Sequence, residues 1–159
     1  MGRRAEIRMS DAEVAAFLAE EWTVTCATLG PRGRPHLMPL WYVMDGRDVL
    51  AWTFAKSQKT RNLERLPQAT LQVEAGDRYE ELRGVMLECD VEIVRDVEAV
   101  TAIGAAVAVK YLGIADATAD TPEVRAYAAL QAPKRVGLRF RPTGVASWDH
   151  RKLGGPPAR

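Results

Sequence analysis

The run LRGVMLECDVEIV, residues 82–94, alternates strictly: Val85, Leu87, Cys89, Val91 and Ile93 fall on one side, and Gly84, Met86, Glu88, Asp90 and Glu92 on the other. One face is dry and the other acidic or small, the signature of a strand whose sheet buries a single face. WTVTCATL (22–29), HLMPLWYVM (36–44), DVLAWTF (48–54), ATLQVE (69–74) and RVGLRFRP (135–142) read as further strands, rich in β-branched and aromatic residues. Turn residues in GPRGRP (30–35) and DGR (45–47) link the first three, which predicts a three-stranded meander.

Helical signals are fewer. Ser10 and Glu13 form a capping box, with Met9 and Val14 placed as a hydrophobic staple, and predict a helix over 11–20. Small apolar residues at helical spacing cover 97–112, and Thr121 with Pro122 opens another helix over 121–132. Six or seven strands interrupted by so few helices favour a mainly β chain with helical additions (α+β), closed as an antiparallel barrel, over alternating βαβ units. A length of 159 residues fits one domain, 1–159.

Charge narrows the partners. Lysine plus arginine (22) nearly balances aspartate plus glutamate (21), so no global field favours nucleic acid or an anionic membrane. No apolar run approaches the roughly 20 residues needed to span a bilayer. The basic N-terminus lacks the apolar core of a signal peptide, so a soluble cytoplasmic protein is expected. Cys26 and Cys89, the only cysteines, lie in alternating runs and read as buried free thiols. Two cysteines make neither an iron–sulfur cluster nor a cysteine-rich zinc site, and no metal is expected.

The densest basic stretch is KSQKTRNLERLP, residues 56–67. A helix starting near Gln58 or Lys59 aims free N–H groups and its positive dipole end outward. Lys59 and Thr60 add a charge and a hydroxyl there, and Arg61 a planar fork suited to phosphate. Lys59 and Arg61, expected at the surface of the helix start, crowd the end where cations are least favoured. The stretch is therefore either a solvated basic face or an anion site. No G-x-G-x-x-G, Walker loop, H-E-x-x-H or G-x-S-x-G accompanies it. His36 reads as a strand-end histidine; Trp41 and Trp52 are either barrel core or pocket wall. SWDHRKL (147–153) is either a frayed end or part of a pocket, with Trp148 stacking on a ring and His150 or Arg151 reaching polar groups. Deleting 147–159 is expected to impair binding or turnover without unfolding the barrel.

Three segments, ATLGPRGRPHLMPLWYVMDG, AKSQKTRNLERLPQATLQVE and SWDHRKL, together resemble the flavin and deazaflavin oxidoreductase superfamily. These are the split β-barrels that include pyridoxamine 5′-phosphate oxidases and F420-dependent enzymes. The likeness covers 22–95 and 134–152; the helices between carry none of it. It implies an FMN-binding split β-barrel, a homodimer with two cofactor sites at the interface. It implies that Ser57, Lys59, Thr60, Arg61 and Asn62 bind the cofactor phosphate, and that Met38, Pro39, Leu40, Trp41, Trp52, Thr53, Phe54 and Ala55 line the ring. The C-terminal tail 143–159 would complete the pocket through Trp148 of the other subunit, with His36, His150 and Arg151 as substrate contacts. No catalytic residue is assigned.

The activity implied is F420H2-dependent hydride transfer to a small unsaturated or conjugated molecule. FMN-dependent chemistry, including the oxidase, and non-enzymatic binding of a cofactor or haem-related ligand are the alternatives. Where those oxidases resemble R-x-H near the C-terminus, this chain has WDHRKL, which argues against oxidase activity. Hydride transfer draws its chemistry from the cofactor, consistent with an anion cradle and aromatics unaccompanied by a catalytic dyad.

Overall fold

The computed structural model describes residues 2–113 and 117–154. Within them seven strands form one sheet: β1 (Thr23–Leu29), β2 (Pro35–Trp41), β3 (Val43–Asp45), β4 (Asp48–Phe54), β5 (Gln68–Ala75), β6 (Arg83–Val94) and β7 (Arg135–Asp149). Among the described residues five α-helices accompany it: α1 (Arg3–Glu6), α2 (Asp11–Glu20), α3 (Gln58–Arg65), α4 (Val97–Leu112) and α5 (Pro122–Gln131).

Every pairing is antiparallel, in the order β2-β1-β5-β6-β7-β4-β3. β2 and β3 thus occupy opposite edges of the sheet, yet only Tyr42 separates them in the chain. The sheet must curl until its edges approach, and Tyr42 is the seam. Its side chain is wholly buried and its hydroxyl donates to the Leu18 carbonyl at 2.6 Å. Its backbone N–H donates to the Tyr111 hydroxyl of α4 at 3.0 Å.

The alternation of 82–94 is realised: Val85, Leu87, Cys89 and Val91 are buried in a core shared with Leu71, Leu138 and Phe140, while Glu88, Asp90 and Glu92 are exposed. Cys26 and Cys89 are free and buried, and burial pushes each thiol up to about 12, so both stay protonated.

Two expectations are corrected. The three-stranded meander does not form, because 36–44 breaks at Tyr42 and sends its halves to opposite sheet edges. The strand expected to end at Pro142 runs on to Asp149, so 143–149 is sheet rather than tail. Proline cannot donate to the ladder, and the structure absorbs it at a bulge opposite Glu88 and Cys89, where the Thr143 hydroxyl donates to the Glu88 carbonyl at 3.1 Å.

α4 crosses β4 closely. A Cβ on Gly104 would lie 2.3 Å from the Trp52 indole, which explains why this helix is built from small residues. Gly104→Val is expected to cost about 2–3 kcal/mol in urea unfolding, because an indole, not a flexible chain end, must give way. An unchanged midpoint would show that α4 and β4 are less tightly coupled than this contact implies. Among the described residues, no helix is long and apolar enough to cross a membrane.

Candidate functional site

Beyond Tyr42, β2 pairs with β1 and β4 pairs with β7, so β2 and β4 diverge without hydrogen bonds between them. The wedge between the two strands holds a pocket of about 410 Å³. That volume lies within the range of small-molecule sites. Met38, Pro39, Leu40 and Trp41 form one wall and Trp52, Thr53 and Phe54 the facing one; α4 and α5 close it through Val107, Ala108, Leu112 and Tyr127. Seven of the eight positions expected to line a ring therefore share one pocket. Ala55 stands one residue beyond it, packed against the barrel core.

Lys59 reaches this pocket from α3. It is not at the surface, as the sequence suggested, but 5% exposed. Its Nζ donates to the Thr53 hydroxyl at 3.0 Å, and among the described residues no carboxylate pairs with it. Burial pulls the ammonium below the ordinary lysine value. A buried cation with one neutral partner is costly unless an anion joins it.

The rest of the basic helix divides its tasks. Ser57 caps it, accepting from the Thr60 N–H, and Thr60, wholly buried, donates to the Phe54 carbonyl at 3.1 Å. Asn62, also wholly buried, donates to the Thr28 hydroxyl at 3.0 Å and accepts from Gln58 at 2.8 Å. These side chains fasten the helix to β1 and β4 and leave none of their polar groups facing the pocket. Arg61 is exposed, and Arg65 donates to the Leu29 carbonyl.

Other expected residues lie elsewhere in the chain. His36 is half-buried on β2, with its Nδ1 buried and unpartnered, and does not line the wedge. Trp148 packs its indole over Gly84, where a Cβ would approach to 2.2 Å, at the end of β7 opposite to the pocket. Asp149 is 5% exposed, and Arg151 donates to it at 2.9 and 2.6 Å, holding its carboxyl below the usual range. His150 Nδ1 lies 2.9 Å from the Tyr79 carbonyl. Within one chain, therefore, Trp148, His150 and Arg151 are remote from the wedge.

Arg135, Tyr127 and the α4 residues were not expected at the site. Arg135 reads in the sequence like Arg139 and Arg141, its companions on the polar side of β7. Only the ladder separates them, since Arg139 and Arg141 find carboxylates and Arg135 faces the pocket.

With this geometry in view, residues 10–149 match the family model described as pyridoxamine 5′-phosphate oxidase. The chain belongs to that family. Solved structures share its fold. It is similar to a conserved hypothetical protein from Mycobacterium tuberculosis, at 41% identity and TM-score 0.88, covering 100% of this chain and 96% of that one. An F420 reductase shares the fold at 24% identity and TM-score 0.61, covering 82% of this chain and 93% of that one. The heme storage protein from Vibrio cholerae does so at 18% identity and TM-score 0.64, covering 85% and 92%. No curated protein matches the chain. For a member of the pyridoxamine 5′-phosphate oxidase family, the wedge between β2 and β4 is thus a cavity lined by aromatics and cations on a split-barrel scaffold.

Proposed function

We propose that the wedge holds the ring of a flavin-like cofactor, F420 in the first place, and that the protein is an F420H2-dependent oxidoreductase. Its substrate is a small unsaturated or conjugated molecule. The observation that carries this reading is Lys59, a buried ammonium with no counter-anion among the described residues, in a pocket walled by Trp41, Trp52 and Phe54. When bound, such a cofactor supplies a ring that accepts or delivers a hydride. The chain's own residues do the remaining work. Lys59 supplies positive charge to an anionic group of the cofactor, the aromatics exclude water, and Arg61 beside the helix start is free to meet a phosphate. The fold shared with an F420 reductase and with an FAD-binding protein supports this class of ligand.

A second copy completes the site on this reading. β2 exposes Leu37 and Met38, 57% and 45% accessible, beside the pocket, and Trp41 is 54% accessible. A homodimer would cover this apolar edge and bring Trp148 of one subunit towards the wedge of the other. The buried free thiols suit a reducing, cytoplasmic setting.

Titration with F420 and with FMN, followed by cofactor fluorescence, tests the reading. Saturable F420 binding tighter than FMN is expected, followed by oxidation of F420H2 when a conjugated acceptor is added. Tighter FMN binding would replace the deazaflavin by a flavin, F420 binding with no acceptor turned over would leave a carrier, and binding of neither would sink the proposal.

A further inference from the structure

Among the described residues the pocket lining contains two cations, Lys59 and Arg135, and no carboxylate. Arg135 opens β7 opposite Phe54, with its guanidinium 4.4 Å from the Trp52 ring centroid and 4.5 Å from that of Phe54. Those contacts hold the guanidinium at the pocket wall. Its Nε is buried and has no acceptor.

The same strand shows what this chain does with arginines that have only structural work. Arg139 donates to Asp45 and Asp48 at 2.9 and 2.8 Å, and Arg141 pairs with Glu92. Among the described residues Arg135 has no ion-pair partner. The arginine lacking a carboxylate is the one that lines the cavity. A buried N–H without an acceptor is destabilising, and a bidentate carboxylate is the group that fits a held guanidinium.

We propose that Arg135 receives a carboxylate carried by the substrate, so that the substrate class is a planar conjugated acid rather than a neutral molecule. Trp52 and Phe54, beside the guanidinium, present apolar surface that the conjugated portion shares with the cofactor ring. This assignment rests on the cofactor reading in one respect: Lys59 is taken up by the cofactor, which leaves Arg135 for the substrate.

Calorimetric titration of the purified protein with trans-cinnamate and with trans-cinnamamide isolates the charge. The acid is expected to bind saturably and about 10-fold or more tighter than the amide. Arg135→Gln should abolish that preference, and Arg135→Lys, which keeps the charge and loses the fork, should retain part of it. F420 titration of the same variants runs alongside. Absence of saturable cinnamate binding, equal binding of acid and amide, or a preference intact in Arg135→Gln would each overturn the assignment. So would an Arg135→Gln variant that loses F420 affinity as much as cinnamate affinity, since the carboxylate subsite would then serve the cofactor. The two readings fail separately. A protein that binds neither F420 nor FMN yet keeps an Arg135-dependent acid preference discards the cofactor and retains the carboxylate site. One that binds F420 and ignores the acid does the reverse.

Discussion

Lys59→Met is expected to lower F420 affinity by roughly 100-fold while leaving the free protein folded, and slightly more stable. The cofactor loses a charge-assisted contact to an ammonium that is itself buried, where such contacts are strong. The free protein loses an ammonium that burial penalises. The Thr53 hydroxyl loses one donor, so the net gain is about 1 kcal/mol. The pH dependence carries the same signature with a definite sign. Burial lowers the folded-state pKa of Lys59, so between that value and the ordinary lysine value the unfolded chain binds more protons than the folded one. Stability of the free protein should therefore rise with pH across that window, and Lys59→Met should flatten the rise. Cofactor titration and urea unfolding at several pH values measure both effects. Undiminished F420 affinity in the variant would remove Lys59 from the site.

Deleting residues 147–159 should destabilise the protein by about 5 kcal/mol or prevent its accumulation as a folded chain. The deletion removes the pairs Ser147–Val85, Trp148–Gly84 and Asp149–Arg83 from the longest ladder of the sheet. It also removes the bonds from the Met9 N–H to the Ser147 hydroxyl at 3.1 Å and from the Asp149 N–H to the Ile7 carbonyl at 2.7 Å, which bind the N-terminal segment. Several hydrogen bonds near 1 kcal/mol each, with the Trp148 indole stripped from Gly84, account for the magnitude. The expectation that this segment could be removed without harm to the barrel came from taking Pro142 as a stop. A truncated protein with an unchanged urea midpoint would return 147–153 to the status of a tail.

Much of the architecture was legible because the strands obey a local rule. A period of two in 82–94, and shorter copies of it elsewhere, was enough for a mainly β antiparallel chain, and Ser10 with Glu13 marked a helix start that the structure shows as a complete capping box. Strand order was not legible, because which edges meet depends on a single residue, Tyr42, whose hydrogen-bond partners Leu18 and Tyr111 lie in distant helices. Of the KTRN element, the sequence located the right helix start but could not say which side chains face inward. Its four residues divide between a buried cation, two helix fasteners and an exposed arginine only because α3 packs between the ends of β1 and β4.

By itself, then, the sequence determined the strand content, the family likeness and the two segments that become facing pocket walls, since each is a local pattern of side-chain type and spacing. Tertiary structure alone decided that the walls face each other and that Lys59 is buried with no counter-ion among the described residues. It also decided that Arg135, unlike Arg139 and Arg141, finds no carboxylate among them. Burial and charge compensation are properties of neighbours distant in the chain, and they arise only once the sheet has curled at Tyr42 and opened the wedge between β2 and β4.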